Sequence, residues 1–379
     1  MADPAVDNFS KGLQGVVAAR TKLSHVDGEN GRLSYLGIPI TELAKNSCFE
    51  EVVYLLRNAR LPKKDELESF KKELAGFRAM GHRVRHVLED LPWKAHPMGV
   101  LKTMVGAYGL FDPEANCIGL EFKRRKALRL TAVIPTIIAS FGRLRQGLEP
   151  IPPRADLSHA ANFIYMLNGQ VPTPEMEKAL DTYLILLADH GLNASTFSAR
   201  VTISTESDLF SAITSAIGTL KGDLHGSANQ RVMEMFLEIG DVSKVEPYVE
   251  ALLAAKKKVM GFGHRIYKKV DPRSDIFREI AKSLCEKTGN GKWYEMAERM
   301  EKYVMEKKGI PCNVDFYSAP VLYVLGFPVD FFTTVFAASR VAGWTAHVIE
   351  QFSDNRLIRP EAHYIGPEYQ PYTPIAQRA

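Results

Sequence analysis

The sequence has few cysteines, little strand character and none of the short motifs that mark common metal and nucleotide sites. Its 4 cysteines are far apart, without the CxxC pair of zinc ribbons and redox proteins. The motifs HExxH, GxSxG, GxxxxGK[ST] and GxGxxG are absent, which argues against a zinc protease, an α/β-hydrolase, a P-loop NTPase and a Rossmann enzyme. We therefore expect buried free thiols, no metal and chemistry without a cofactor.

Charge and hydrophobicity exclude further classes of protein. The net charge is only +4 over 379 residues, and no long basic tract indicates a nucleic-acid partner. We find no apolar run that looks long enough to span a membrane. Residues 1–10 contain acids and no apolar stretch, unlike a signal peptide. These patterns predict a cytoplasmic protein of about two domains.

Helical periodicity covers most of the chain, so we expect a nearly all-α fold. The clearest start is Thr173-Pro174-Glu175, with a capping hydroxyl and a proline in the first turn. Weak strand signals at 15–18 and 32–35 predict a small N-terminal hairpin. After Pro360 the chain is rich in proline and tyrosine, which fits an extended arm on a partner subunit or a disordered tail. The predicted helices span 41–60, 63–80, 123–146, 173–189, 209–221, 227–238, 245–256, 274–287, 292–308 and 330–352.

Three histidines stand beside glycines where the helical pattern breaks, namely His190, His225 and His264. A histidine at a helix end can be oriented by backbone groups, and it titrates near neutral pH. His347 lies inside a helical run instead, and we expect it to be structural. Each of the three histidines alone could also be structural, but three in such settings favour a role in a cleft.

One carboxylate and three arginines complete the candidate set. Asp315 precedes an apolar helix, where it could be the N-cap, a base in a partly apolar pocket, or both. Arg340 stands among small residues that look like core, and Arg273 and Arg359 adjoin prolines. Because arginine binds carboxylates through paired hydrogen bonds, these residues predict acid–base chemistry on an anionic substrate.

The motifs that carry these residues resemble those of citrate synthase. They are His-Gly-Ser-Ala-Asn-Gln at 225–230, Gly-Phe-Gly-His-Arg with Asp-Pro-Arg at 261–273, and Asn-Val-Asp at 313–315. The resemblance extends over almost the whole chain, and it is to the short bacterial and archaeal form of this enzyme. It implies a mostly α-helical homodimer. Each subunit would have a large domain at 1–219 and 327–379, a small domain at 220–326, and the active site between them.

The resemblance also implies a role for each candidate. Asp315 would take a proton from the methyl group of acetyl-CoA, His225 would donate a hydrogen bond to the thioester oxygen, and His264 would donate to the oxaloacetate ketone. Citryl-CoA would then be hydrolysed. Oxaloacetate would be held by His190, Arg273, Arg340 and Arg359, the last reaching across from the other subunit.

The binding of CoA follows less directly from the resemblance. The backbone from Lys258 to Gly263, including Gly261, would meet the adenine, and Lys268 would meet the phosphates. Acetyl-CoA is a substrate here, so no cofactor is expected. Three alternatives stay open: 2-methylcitrate synthase using propionyl-CoA, a non-catalytic helical scaffold, and a metal-dependent hydrolase.

Overall fold

A computed structural model describes residues 9–367 and 369–378, and it confirms a mostly helical fold with one small sheet. Three short antiparallel strands, β1 (Ser24–Asp27), β2 (Arg32–Tyr35) and β3 (Ile38–Pro39), pair in that order near the N-terminus. The first eight helices are α1 (Ile40–Asn46), α2 (Phe49–Asn58), α3 (Lys64–Gly76), α4 (His82–Glu89), α5 (Pro97–Leu110), α6 (Leu120–Leu144), α7 (His159–Asn168) and α8 (Pro174–Leu187). The others are α9 (Ala194–Ser204), α10 (Leu209–Leu220), α11 (Ala228–Ile239), α12 (Val245–Ala254), α13 (Pro272–Lys287), α14 (Gly291–Lys308), α15 (Val314–Val324) and α16 (Phe332–Ser353).

The core is organised around α16, which packs against α6, α8, α9 and α10. Nearly all of its side chains are buried, including Trp344 at 0% exposure. In the later part of the chain, α11, α13, α14 and α15 pack on one another, while α13 and α15 also touch α8. The predicted domain boundary at 220 is the last residue of α10, and the one at 326 falls just after α15; the division remains a prediction.

Two predictions of secondary structure were wrong. The partner of β2 is β1, and not residues 15–18. The side chains of Val16 and Val17 are 49% and 87% exposed, so a strand there would have no core to cover. The predicted helix at 41–60 is two helices, because residues 47–48 are extended. The backbone N–H of Phe49 donates to the Asp181 carboxylate at 2.9 Å, which caps the second helix.

Four helices, α4, α5, α7 and α9, were not predicted from the sequence. Helix α7 is buried at eight of its ten positions, among them the polar His159 and Asn162, so its polar residues do not mark a solvent-facing side. Where a cap was predicted, the helix begins as expected, since the Thr173 hydroxyl accepts from the N–H of Met176.

Helix α6 corrects the expectation that no segment is long and apolar enough to span a membrane. By length and composition this 25-residue helix passes that test, but 83% of its most apolar window is buried inside the protein. Burial of this kind is typical of a core helix, and α16 and α7 cover it.

The end of α8 approaches α16 closely at Gly343. The N–H of Gly343 lies 3.0 Å from the carbonyl oxygen of Ala188. A Cβ at Gly343 would come within 2.4 Å of that oxygen and 2.5 Å of the Asp189 carboxylate. Glycine therefore allows the segment that carries His190 to lie directly on α16.

We predict that Gly343→Ala destabilises the fold by about 1–3 kcal/mol, because the added methyl group has no room against backbone. The matched control is Gly99→Ala in α5, where nothing lies within 4 Å of the new Cβ. Alanine favours helix by about 1 kcal/mol over glycine, so the control should be neutral or stabilised. Urea unfolding of both variants measures the difference, and equal free energies of unfolding would contradict the close approach.

Candidate active site

Most of the predicted candidates converge where several segments and α16, which carries Arg340, meet. The segments are the end of α8 with His190, the start of α9 with the turn that holds His225, the loop at 261–271, and the N-terminal ends of α13 and α15. The rings of His190 and His264 lie 5.6 Å apart. Residues from distant parts of the sequence thus line one site.

The loop that holds His264 is tied to the start of α15. The N–H of Gly263 donates to the Pro311 carbonyl, and that of Asn313 donates to the Gly261 carbonyl, each at 2.9 Å. The Asn313 amide also donates to the Gly263 carbonyl at 2.8 Å. Gly261 has φ of +83°, and a Cβ there would lie 2.7 Å from the Phe316 ring. The glycine therefore lets the histidine loop pack on the helix that carries Asp315.

The hydrogen bonds of His264 fix its tautomer. Its Nδ1 accepts from the backbone N–H groups of Ile266 and Tyr267, both at 3.1 Å. The ring proton must then be on Nε2. Burial, with the charge of Arg273 nearby, lowers the pKa of His264 to about 4. At neutral pH His264 is an uncharged hydrogen-bond donor.

His225 has the opposite tautomer. Its Nε2 accepts from the N–H of Ser195 at 3.3 Å and lies 2.8 Å from the Ser195 hydroxyl, so the proton is on Nδ1. Burial and the charge of Arg340 lower the pKa of His225 to about 4. The Ser195 hydroxyl also accepts from the Trp344 indole at 3.1 Å. The sequence did not predict Ser195, because its link to His225 spans 30 positions and the helix that it begins, α9, was not predicted either.

His190 is buried, and its Nε2 lies 3.0 Å from the Tyr267 hydroxyl. Burial and the charges of Arg273 and Arg340 hold the pKa of His190 well below its usual range. Its neighbour Asp189 is fully buried and contacts His347, which lies inside α16 as predicted.

Arg273 is 3% exposed and pairs with Asp271 through two hydrogen bonds, from Nε at 2.9 Å and from Nη2 at 2.7 Å. Burial disfavours a charged carboxylate, but the guanidinium outweighs it and holds the pKa of Asp271 below its usual range. Asp271 also accepts from the N–H of Val314 at 3.1 Å. It therefore links Arg273 to α15. The Asp-Pro-Arg motif contains Asp271, but the sequence did not predict this link.

Arg340 is 2% exposed, and its Nε donates to the Leu187 carbonyl at 2.7 Å. Its guanidinium also lies over the Phe336 ring, 4.8 Å from the centroid. The side chain is therefore held in the core, at the end of α8 next to His190.

Asp315 is the second residue of α15, and the helix cap is Asn313, whose side chain accepts from the Asp315 N–H at 3.0 Å. The N-cap interpretation of Asp315 was therefore wrong. Burial raises the pKa of Asp315 to about 6, with Asp271 adding to the effect and Arg273 and Arg340 opposing it. No residue of 9–367 or 369–378 donates a hydrogen bond to its carboxylate.

A profile described as "Citrate synthase, C-terminal domain" matches residues 12–361. The Bacillus subtilis protein "Citrate synthase 2" is 48% identical over 98% of this chain and 99% of its own length. The chain belongs to the citrate synthase family. A second Bacillus subtilis relative, "Citrate/2-methylcitrate synthase", is 38% identical over 96% of this chain and 98% of its own length.

A solved structure agrees with this family assignment. The citrate synthase of Thermoplasma acidophilum, in a ternary complex with carboxymethyl coenzyme A and oxaloacetate, superposes with a TM-score of 0.90. It is 34% identical, and the match covers 98% of this chain and 99% of that one. In the described part of this chain, no three His, Cys, Asp or Glu side chains form a group that could hold a metal.

The other predicted residues lie at the rim of the active site or outside it. Lys258 is exposed. Lys268 is exposed and paired with Glu29 in the β1–β2 turn, where its N–H also donates to the Gly28 carbonyl at 3.1 Å. A cavity of about 330 Å³ adjoins this segment, lined by Gly263, His264, Tyr267, Lys268 and Pro311 among others.

Arg359 lies outside the site within its own chain. It is exposed, in the segment that follows α16. Its assignment to a partner subunit remains a prediction, as do the roles of the other site residues.

We predict that Asp271→Asn destabilises the fold by about 3 kcal/mol, because it leaves the Arg273 charge buried without a counter-ion. The matched control is Asp275→Asn, which removes an exposed pair with Arg278 at 2.9 Å and should cost less than about 1 kcal/mol. Denaturant unfolding at pH 7 compares the two, and similar losses would show that the buried pair has no special weight.

Proposed function

We propose that this protein condenses acetyl-CoA with oxaloacetate and water to give citrate and free CoA. The observation that supports this best is the set of opposite tautomers at His225 and His264 beside an unpartnered carboxylate. Such a set supplies two neutral hydrogen-bond donors and one base. The Thermoplasma relative, which holds a CoA analogue together with oxaloacetate, supports the same pair of ligands.

In the proposed reaction Asp315 removes a proton from the acetyl methyl group. The Nδ1–H of His225 donates to the thioester oxygen, where negative charge develops as the enol forms. The enol carbon then attacks the oxaloacetate ketone, and the Nε2–H of His264 donates to the ketone oxygen. Water hydrolyses citryl-CoA and releases the thiol. Neutral donors suit this site because a cationic histidine beside Asp315 would lower the pKa of that carboxylate and make it a weaker base.

The arginines provide the charge for a dicarboxylate. Arg273 uses Nε and Nη2 for Asp271, and Arg340 uses Nε for Leu187. Among the described residues, nothing else hydrogen-bonds the Nη1 group of Arg273 or the terminal nitrogens of Arg340, which are left for substrate. Burial and the charges of both arginines lower the pKa of His190. In the proposed homodimer, Arg359 of one protomer completes the carboxylate site of the other, and the tail after Pro360 lies on that protomer.

Closure of the proposed small domain at 220–326 onto the rest would exclude water from the site. Lys258, Gly261, Gly263 and Lys268 would then meet CoA, and Lys268 would exchange Glu29 for a phosphate. We also propose that the enzyme works in the cytoplasm and needs no cofactor.

The proposed function is tested by thiol release from acetyl-CoA and from propionyl-CoA with oxaloacetate. We expect kcat/KM to favour acetyl-CoA by about tenfold or more, since one methylene in a fitted pocket changes the barrier by about 1–3 kcal/mol. A preference for propionyl-CoA would favour 2-methylcitrate synthase, the activity named for the second Bacillus relative. No thiol release from either would overturn the proposal, and loss of release in a strong chelator would favour a metal hydrolase.

The pH profile of kcat/KM should fall on the acid side with an apparent pKa of about 6. Asp315 acts as the ionised base, so protonation below that pH removes activity, whereas His225 and His264 stay neutral until about pH 4.

Asp315→Asn should lower kcat by about 100-fold or more. Asp330→Asn, which changes a half-exposed carboxylate paired with Arg145, is the control. An acid limb near pH 4, or an active Asp315→Asn enzyme, would contradict the assignment.

A further inference from the structure

Tyr267 contacts three of the side chains proposed to act on oxaloacetate, namely His190, His264 and Arg273. It is 4% exposed. Its hydroxyl lies 3.0 Å from His190 Nε2, and its ring centroid is 4.7 Å from that of His264. The guanidinium carbon of Arg273 is 5.9 Å from the same ring. One aromatic side chain thus joins residues that come from the segment after α8, the 261–271 loop and α13.

We propose that Tyr267 is a positioning residue that holds His190 and His264 in a fixed arrangement for oxaloacetate. This inference rests on the proposed function. The hydroxyl of Tyr267 would act on His190, and its ring would act on His264.

The hydroxyl acts on His190. Burial raises the pKa of Tyr267 to about 12, so the hydroxyl keeps its hydrogen at working pH. No other side chain of the described residues hydrogen-bonds the His190 ring. Without the hydroxyl, His190 Nε2 would lose this bond inside a buried site and the ring could turn. Oxaloacetate would then have to order the ring when it binds, which weakens binding.

The ring acts on His264 and Arg273. The backbone N–H of Tyr267 donates to His264 Nδ1, and this bond survives a change of side chain. What the ring adds is packing against the imidazole at an angle of 35° and a cation–π contact with Arg273. Removing the ring frees the imidazole to shift, and small shifts of a group that acts on the reacting ketone reduce the rate.

Two variants separate these contributions. Tyr267→Phe removes only the hydroxyl, and we expect the KM for oxaloacetate to rise about three- to tenfold, with kcat and the KM for acetyl-CoA within about twofold of wild type. Tyr267→Leu also removes the ring, and kcat should fall a further tenfold or so. A purely structural role would not raise one KM and leave the other unchanged.

The matched control is Tyr294→Phe. Tyr294 is 8% exposed, and its hydroxyl donates to Glu298 at 2.9 Å within α14. This variant loses the same group from a similarly buried position, so its melting temperature should change as much as that of Tyr267→Phe. Both its KM values should remain those of wild type.

Calorimetric titration with oxaloacetate alone makes the test independent of turnover. Weaker oxaloacetate binding by Tyr267→Phe than by wild type and control supports the inference, even if wild type releases no thiol and the proposed function fails. The inference is overturned if Tyr267→Phe binds oxaloacetate as wild type does, if both KM values rise together, or if wild type binds no oxaloacetate.

Discussion

The joint between two short segments, 261–263 and 311–313, is the feature on which the rest of the site depends. Two backbone hydrogen bonds and one from the Asn313 amide hold the segments together. His264 follows the first segment and Asp315 follows the second. These three hydrogen bonds therefore fix the position of the His264 donor relative to the proposed base, Asp315. Gly261 permits the joint, since a Cβ would collide with Phe316.

The electrostatics of the site follow from burial of cations beside histidines. Desolvation by burial lowers the pKa of each of the three histidines, and the charges of the nearly inaccessible Arg273 and Arg340 add to this effect. Neutral histidines can then be oriented by backbone N–H donors, which fixes the nitrogen that carries the proton. Desolvation also raises the pKa of Asp315, so the same low-polarity environment sets both the donors and the base. Asp271 balances Arg273 within the protein.

Local patterns predicted the features that local chemistry controls. The helix start at Thr173-Pro174 was predictable because a hydroxyl cap and a proline act within one turn. The break at residues 47–48 was not, because the cap of the second helix comes from Asp181, 132 positions away. The same distinction applies to the site, where the motifs predicted His264 and Arg273 but not Ser195, whose link to His225 spans 30 positions.

By itself, the sequence determined the helical class, the family motifs and the chemical types of the reacting groups, because these depend on composition, periodicity and short spacings. Only the tertiary structure decided which nitrogen of each histidine carries a proton, how strongly Asp315 is desolvated, and that Tyr267 joins His190 to His264. These properties are set by hydrogen-bond partners and neighbouring charges from other helices. Such contacts exist only once segments far apart in the chain have packed together.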